Sequence, residues 1–271
     1  MHQRMQLGVN VPNFGPGTDP GVLREWAQLV EGLGFDLLMV SDHVAITEDV
    51  AERYPAPFYE PFTTLSWLAG QTSRVRLGTT VLILPYRHPL LTARMATNLH
   101  QLSEGRLVLG VGVGWARQEF AALGVPYAER GRRTDQALAA LRTAWQEEGV
   151  FVPLWIGGNS AAGLRRTLAF GDAWHPLRVT LPWLRSALAG QDLPGLAPRI
   201  ALRLTDAPVH DPERLAGVGT VEQVIEDLRA LRELGAEAVV LDPYHGDPAE
   251  TRRPQDAWRA LTTVATYWRH A

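Results

Sequence analysis

The chain has 271 residues, 46% of them hydrophobic, which is enough for one large core in a single domain, and its formal charge of -3 leaves no basic face for a nucleic-acid backbone. It has no cysteine, and all 26 basic residues are arginine, which excludes disulfides, thiolate nucleophiles, Cys-ligated metal centres and a Schiff-base or P-loop lysine. No apolar stretch is as long as a membrane helix, and Met1 to Arg4 lead into the first apolar run without a signal-peptide core, so a cytoplasmic protein without a membrane partner is expected.

Eight short apolar runs alternate with helix-forming stretches. The first, Leu7 to Val11, ends at Asn10 and Asn13 and precedes an amphipathic helix over Pro20 to Leu33, which Gly34 stops. Leu37 to Val40 ends in Ser41-Asp42-His43. A helix near Pro61 to Thr72 leads into Val75 to Leu84, which carries Thr79-Thr80, and one from Pro89 to Leu102 leads into Leu107 to Val113, with Gly112 and Gly114 at its end. After a short helix near Glu119 to Leu123 and a long one from Glu129 to Trp145, Leu154 to Ile156 runs into Gly157-Gly158-Asn159-Ser160, where Ser160 caps a helix to Phe170. The sixth run, Ala173-Trp174, meets His175; the seventh, Ile200 to Leu204, ends near Asp206; Thr220 and Gln223 make a capping box for Val221 to Leu234. The eighth, Ala238 to Leu241, ends near Asp242 and His245, and a polar loop from Pro243 to Pro254 precedes the last helix, Gln255 to Tyr267. Continuous apolar runs read as parallel strands buried on both faces, whose ligands lie beyond their carboxyl ends. Eight units predict a closed (β/α)8 TIM barrel over 1–271, with a doubly wound open sheet as the alternative.

Polar groups at those strand ends are the site candidates. In Asp42-His43 a carboxylate beside an imidazole can fix its tautomer and raise its pKa, making His43 a donor aimed at a ligand. Gly110, Gly112 and Gly114 alternate along the fourth strand, so that all three are expected to face one side and admit a flat ring or a backbone. Gly157 to Ser160 bring a helix N-terminus to the rim and suit a phosphate, with Arg165 and Arg166 one to two turns further on. Asn13, Trp115, Trp174, His175 and Tyr244 are expected to line a substrate pocket. His43, His88, His175 and His245 are scattered without ligand spacing, so no metal site is expected.

Taken in order, these motifs resemble the luciferase-like monooxygenase family, and within it the branch that uses the deazaflavin coenzyme F-420. The resemblance rests on Gly8-Val9-Asn10 with Pro12, Gly34-Phe35-Asp36 before Ser41-Asp42-His43, Leu77 to Val81, Gly105-Arg106 with Gly110 to Trp115, Glu129-Arg130-Gly131, Trp155 to Ser160, and Gly171 to Pro176. It covers almost the whole chain and implies a (β/α)8 barrel that is usually a homodimer. It puts Asp42 and His43, as the catalytic pair, near the central cofactor ring, and Thr80-Val81 at a bulge behind that ring, often a non-prolyl cis peptide. Gly112 and Gly114 would flank the ring and tail, and Gly157, Gly158, Asn159 and Ser160 would hold the phosphate. The implied reaction is hydride transfer between the deazaflavin and a small or medium organic substrate. The alternative is an FMN-dependent two-component monooxygenase with a flavin reductase as partner; a third reading is a flavin-binding barrel without catalysis. Two departures matter. The segment from 146 to 153 is shorter than the family's rim excursion, and Trp115 stands where sugar-phosphate dehydrogenases of the family carry an acidic residue.

Overall fold

The computed structural model describes residues 4–269; the first three residues of the N-terminal run lie outside that range. The strands are β1 (Gln6–Asn10), β2 (Leu37–Val40), β3 (Arg76–Ile83), β4 (Leu107–Gly112), β5 (Leu154–Gly157), β6 (Ala173–His175), β7 (Arg199–Ala201), β8 (Arg203–Leu204), β9 (Val218–Gly219) and β10 (Ala238–Asp242). Eight of them form one parallel sheet in the order β6-β5-β4-β3-β2-β1-β10-β7. Parallel bridges Trp174–Leu196 and Leu177–Arg199 join its two edges. The sheet therefore closes, and the fold is a single (β/α)8 barrel. The seventh strand is shorter than its apolar run: after Leu202 the chain leaves the barrel, and β8 pairs with β9 in a separate two-stranded ribbon.

The helices are α1 (Pro20–Gly32), α2 (Glu48–Ala51), α3 (Pro61–Ala69), α4 (Pro89–Leu102), α5 (Arg117–Ala122), α6 (Arg130–Glu148), α7 (Ala161–Phe170), α8 (Leu181–Leu188), α9 (Val221–Glu233) and α10 (Pro254–Arg269). Their starts follow from local chemistry. Asp19 accepts the Val22 amide ahead of Pro20, Ser160 accepts the Gly163 amide, and Thr220 and Gln223 form the reciprocal capping box. The short helix α2 and the helix α8 were not anticipated. The polar loop after β10 docks on the β1–α1 connection, where a Cβ at Gly17 would lie 2.0 Å from the Thr251 carbonyl oxygen.

Alternation along the strands separates two apolar layers. Outward residues such as Val9, Leu38, Leu77, Leu109, Ile156 and Leu241 pack under the helices. Inward residues Leu37, Met39, Val108, Trp155, Ala173, Ala197, Ala238 and Val240 fill the barrel. Two residues further along, the inward positions turn polar or small: Asn10, Thr80, Gly110 and Gly112, Gly157, His175, Arg199 and Asp242. The carboxyl end of the barrel is thus lined by the same register that builds its core. Gly110 is needed for close approach, since a Cβ there would lie 2.1 Å from the Thr79 carbonyl oxygen. Gly110→Ala is expected to cost about 2–3 kcal/mol, because the backbone atom it meets cannot rotate away; an unchanged melting temperature would contradict this packing.

Candidate active site

His43 lies just beyond β2, and its partner is Glu119 on α5, 76 residues away in sequence, with Nδ1 2.7 Å from Oε2. Glu119 is fully buried. Its other oxygen accepts the Val44 and Ala45 amides at 2.6 and 3.2 Å, and the Tyr86 hydroxyl donates to Oε2 at 2.9 Å. Burial pushes the Glu119 carboxyl up, but the His43 ring, the Val44 amide and the Tyr86 hydroxyl outweigh it and hold it below the usual carboxylate value. Burial and the neighbouring Glu119 charge push the Tyr86 phenol up, which keeps it a donor. With Nδ1 engaged, Nε2 is the ring nitrogen of His43 left for chemistry. The ring is enclosed by Tyr54, stacked at 5.3 Å, and by the edges of Phe58 and Trp115 at 5.5 and 5.7 Å. Trp115, 46% exposed, forms the solvent side of this aromatic wall.

The Asp42–His43 pair expected from the sequence is not formed. Adjacent side chains at a strand end point opposite ways, so Asp42 turns to Arg87, which it binds in a bidentate pair at 2.6 and 2.8 Å, and to the Ile83 amide at 2.8 Å. Its carboxylate has no exposed surface. Asp42 therefore anchors the end of β3 instead of touching the imidazole.

β3 carries the second half of the site. Its pairing with β4 shifts between Thr79 and Leu82, and the Thr80–Val81 peptide is cis. The side chain of Val81 fills the space that Gly112 and Gly157 leave open, with methyl groups 2.6 and 2.8 Å from where their Cβ atoms would be. These glycines thus accommodate the chain's own bulge, which corrects the reading of Gly112 as a seat for the ring and of Gly157 as part of the phosphate site. Gly114 corrects it further: at φ +77° it turns away, toward Ile83 and Phe120. The half-buried Val81, Gly157 and Gly158 form a shelf of low side-chain bulk from the bulge to the start of α7.

Beneath the bulge is a buried polar network. Arg199 donates to the Thr80 carbonyl at 2.7 Å and, through Nε and Nη2, to one Asp242 oxygen at 3.0 and 2.7 Å; Asn10 donates to the other at 3.0 Å. His175 donates from Nδ1 to the Ala197 carbonyl and accepts the Thr80 hydroxyl at Nε2, 2.8 Å away. Burial, reinforced by the Arg199 charge, lowers the His175 imidazole from 6.5 to about 4. The unfolded chain then takes up this proton at higher pH than the folded one, so the stability held by neutral His175 is complete above pH 6.5. It is lost as pH falls through 4, by up to about 3 kcal/mol. His175→Gln is expected to make the fall in Tm between pH 7 and pH 4.5 shallower by roughly 5 °C; an identical slope would contradict the assignment.

Several expected pocket residues are engaged elsewhere. Both ring nitrogens of His175 are taken, so it supports the bulge and lines no pocket. Trp174, on the outward side of β6, is fully buried and donates to the Gly158 carbonyl at 2.9 Å. The amide of Asn13 ties the β1 and β2 ends together through Ser41 and Tyr59. Tyr244 is buried, packs on Tyr54 and Phe14, and donates to the Arg53 carbonyl. Of that set, Trp115 alone is both exposed and against His43. In the loop before α7, Gly158 has φ +111° with open space around it, and Ser160 is exposed. Asn159 instead clasps the Leu177 backbone with both ends of its amide at 2.9 Å. Arg166 pairs with Asp135 at 2.5 Å, away from the loop. Glu119 and Arg199 were missed. Among the described residues no three His, Asp or Glu side chains converge as metal ligands, and no helix is long and apolar enough to cross a membrane.

The chain is 30% identical over 218 residues to phthiodiolone/phenolphthiodiolone dimycocerosates ketoreductase of Mycobacterium tuberculosis; the match covers 70% of this chain and 57% of the ketoreductase. It superposes on an F-420-dependent secondary alcohol dehydrogenase in complex with an F-420–acetone adduct with a TM-score of 0.71 at 18% identity, over 97% of this chain and 99% of that one. The oxygenating constituent of 3,6-diketocamphane monooxygenase from Pseudomonas putida, in complex with FMN, gives 0.72 at 17% identity over 97% of each. Both likenesses concern the fold. The luciferase-like monooxygenase family pattern matches residues 5–199, the greater part of the chain, and this chain belongs to the luciferase-like monooxygenase family.

Proposed function

We propose that the protein is a deazaflavin-dependent oxidoreductase that exchanges a hydride with a carbonyl or alcohol group of a small or medium organic molecule. The observation that carries this reading is the buried Glu119–His43 pair, which leaves one imidazole nitrogen free inside an aromatic enclosure. The fit of the cofactor to the barrel rests on the shelf: Val81 offers an apolar surface at the bulge of β3, and Gly158 leaves room beside the N-terminus of α7. There Ser160 and the first-turn amides of Ala161 and Ala162 would hold the phosphate. When bound, the reduced cofactor supplies the hydride. His43 supplies the matching proton: Nε2 gives it to the carbonyl oxygen during reduction and takes it from the hydroxyl during oxidation. The Glu119 carboxylate fixes the ring with Nδ1 as donor and balances its positive charge, while Tyr54, Phe58 and Trp115 exclude water. The similarity to a ketoreductase supports a carbonyl substrate.

Anaerobic fluorescence titration of the purified protein with coenzyme F-420 and, separately, FMN tests the cofactor. Saturable binding of the deazaflavin in preference to FMN is expected. Preference for FMN would support oxygenation with a reductase partner, which the same phosphate loop would serve; binding of neither would overturn the cofactor assignment. Ser160→Asp keeps a good helix cap but sets a carboxylate against the phosphate, so cofactor affinity is expected to fall about 10-fold with an unchanged Tm. Unchanged affinity would move the phosphate elsewhere.

A further inference from the structure

A cavity of about 360 Å3 lies between α1, α10 and the segments that follow β7 and β10. That volume is within the range that holds small organic ligands. Its apolar lining comes from Trp26 of α1, Leu202 and Leu204 beyond β7, and Ala257 and Ala260 of α10. The charged groups of the wall are unevenly matched. Asp256 is bound by Arg259 and lies 3.8 Å from Arg253, and Glu250 accepts the His245 amide at 2.8 Å. The guanidinium of Arg203, which also lines the cavity, makes no ion pair or hydrogen bond to a described residue. Tyr244 closes the side toward the active site, with its ring 5.9 Å from Tyr54, which in turn stacks on His43. The cavity is therefore distinct from the shelf over Val81 and independent of the cofactor reading.

We propose that this cavity binds a small amphipathic carboxylate, its hydrocarbon part against Trp26, Ala257 and Ala260 and its carboxylate on Arg203. An apolar lining beside one unmatched cation calls for a ligand with one apolar body and one negative charge, and a planar guanidinium takes a carboxylate through two parallel hydrogen bonds. A phosphate ester fits less well, since a doubly charged group would face Glu250 and Asp256 with a single free guanidinium to hold it.

Calorimetric titration of the full chain, without flavin, with 4-phenylbutyrate and with 4-phenylbutan-1-ol tests this. The acid is expected to bind saturably and at least about 10-fold more tightly than the alcohol, the margin of a charge-assisted hydrogen-bonded pair. Arg203→Gln, at an exposed position, is expected to remove that margin, and Ala260→Trp to abolish binding of both compounds by filling the space. The Trp26 indole resonance of the wild type is expected to move with the acid, which reads occupancy even if Ala260→Trp fails to fold. Equal affinities for acid and alcohol, no effect of Arg203→Gln, an unmoved Trp26 resonance, or no binding would each overturn the proposal. Because no flavin is present, none of these results depends on the cofactor.

Discussion

Glu119→Gln is expected to lower turnover by about 100-fold while leaving cofactor affinity within about 2-fold, the size of effect that follows when a general acid–base group is kept but wrongly oriented. The amide oxygen can still accept the Val44 and Ala45 amides, so the α5 contact and the fold survive. Its NH2 group, however, faces His43 Nδ1 and forces that nitrogen to accept, which moves the ring proton to Nε2. A neutral His43 then cannot take a proton from an alcohol, and an imidazolium loses its counter-charge. The loss falls on kcat more than on KM, and it changes the pH profile, which a merely structural role for Glu119 would not do. Steady-state kinetics of wild type and variant at several pH values would decide this; turnover within about 3-fold at all of them would remove Glu119 from the mechanism.

The second large effect is on stability. Asp242→Ala strands the Arg199 guanidinium, which is only 8% exposed, and removes an acceptor from Asn10 and from the Tyr244 amide. Leaving one member of a buried ion pair without its partner costs about 3–5 kcal/mol, equivalent to roughly 10 °C in Tm for a chain of this size. The network also carries the Thr80 carbonyl, so the bulge loses its support in the same variant. Adding Arg199→Leu to Asp242→Ala is expected to recover part of the loss, since the unpaired charge is gone; the coupling in this double-mutant cycle measures the pair. A Tm within 2 °C of wild type for Asp242→Ala would contradict the network as described.

The fold was legible because its signals are local. Short apolar runs, caps at Ser160 and Thr220, and a glycine after α1 each specify an element from neighbours in sequence. The boundaries that were misread are tertiary in origin. Arg199, a charged residue at the head of the seventh run, belongs to β7 because the barrel interior supplies Asp242 to neutralise it. Arg203 and Leu204, at the end of that run, leave the sheet because β9 offers a different partner. The site was half legible. His43 and the Thr80–Val81 bulge are marked by position and motif, whereas the partner of His43 depends on where α5 lands after β4. One signal for Glu119 was available: on so short a helix it follows Ala116 at i+3 and precedes Phe120, which puts a carboxylate on the buried face. A buried carboxylate requires a partner. In the Asp42-His43 dipeptide consecutive side chains diverge at a strand end, and each pairs with a residue distant in sequence.

The most direct test of hydride transfer is an anaerobic single turnover with reduced coenzyme F-420 deuterated at C5, mixed with the protein and a panel of ketones. Hydride transfer requires stoichiometric oxidation of the cofactor, deuterium on the carbinol carbon of the product, and loss of the reaction in His43→Ala. No transfer to any carbonyl without oxygen, together with oxygen consumption when reduced FMN is supplied instead, would contradict it.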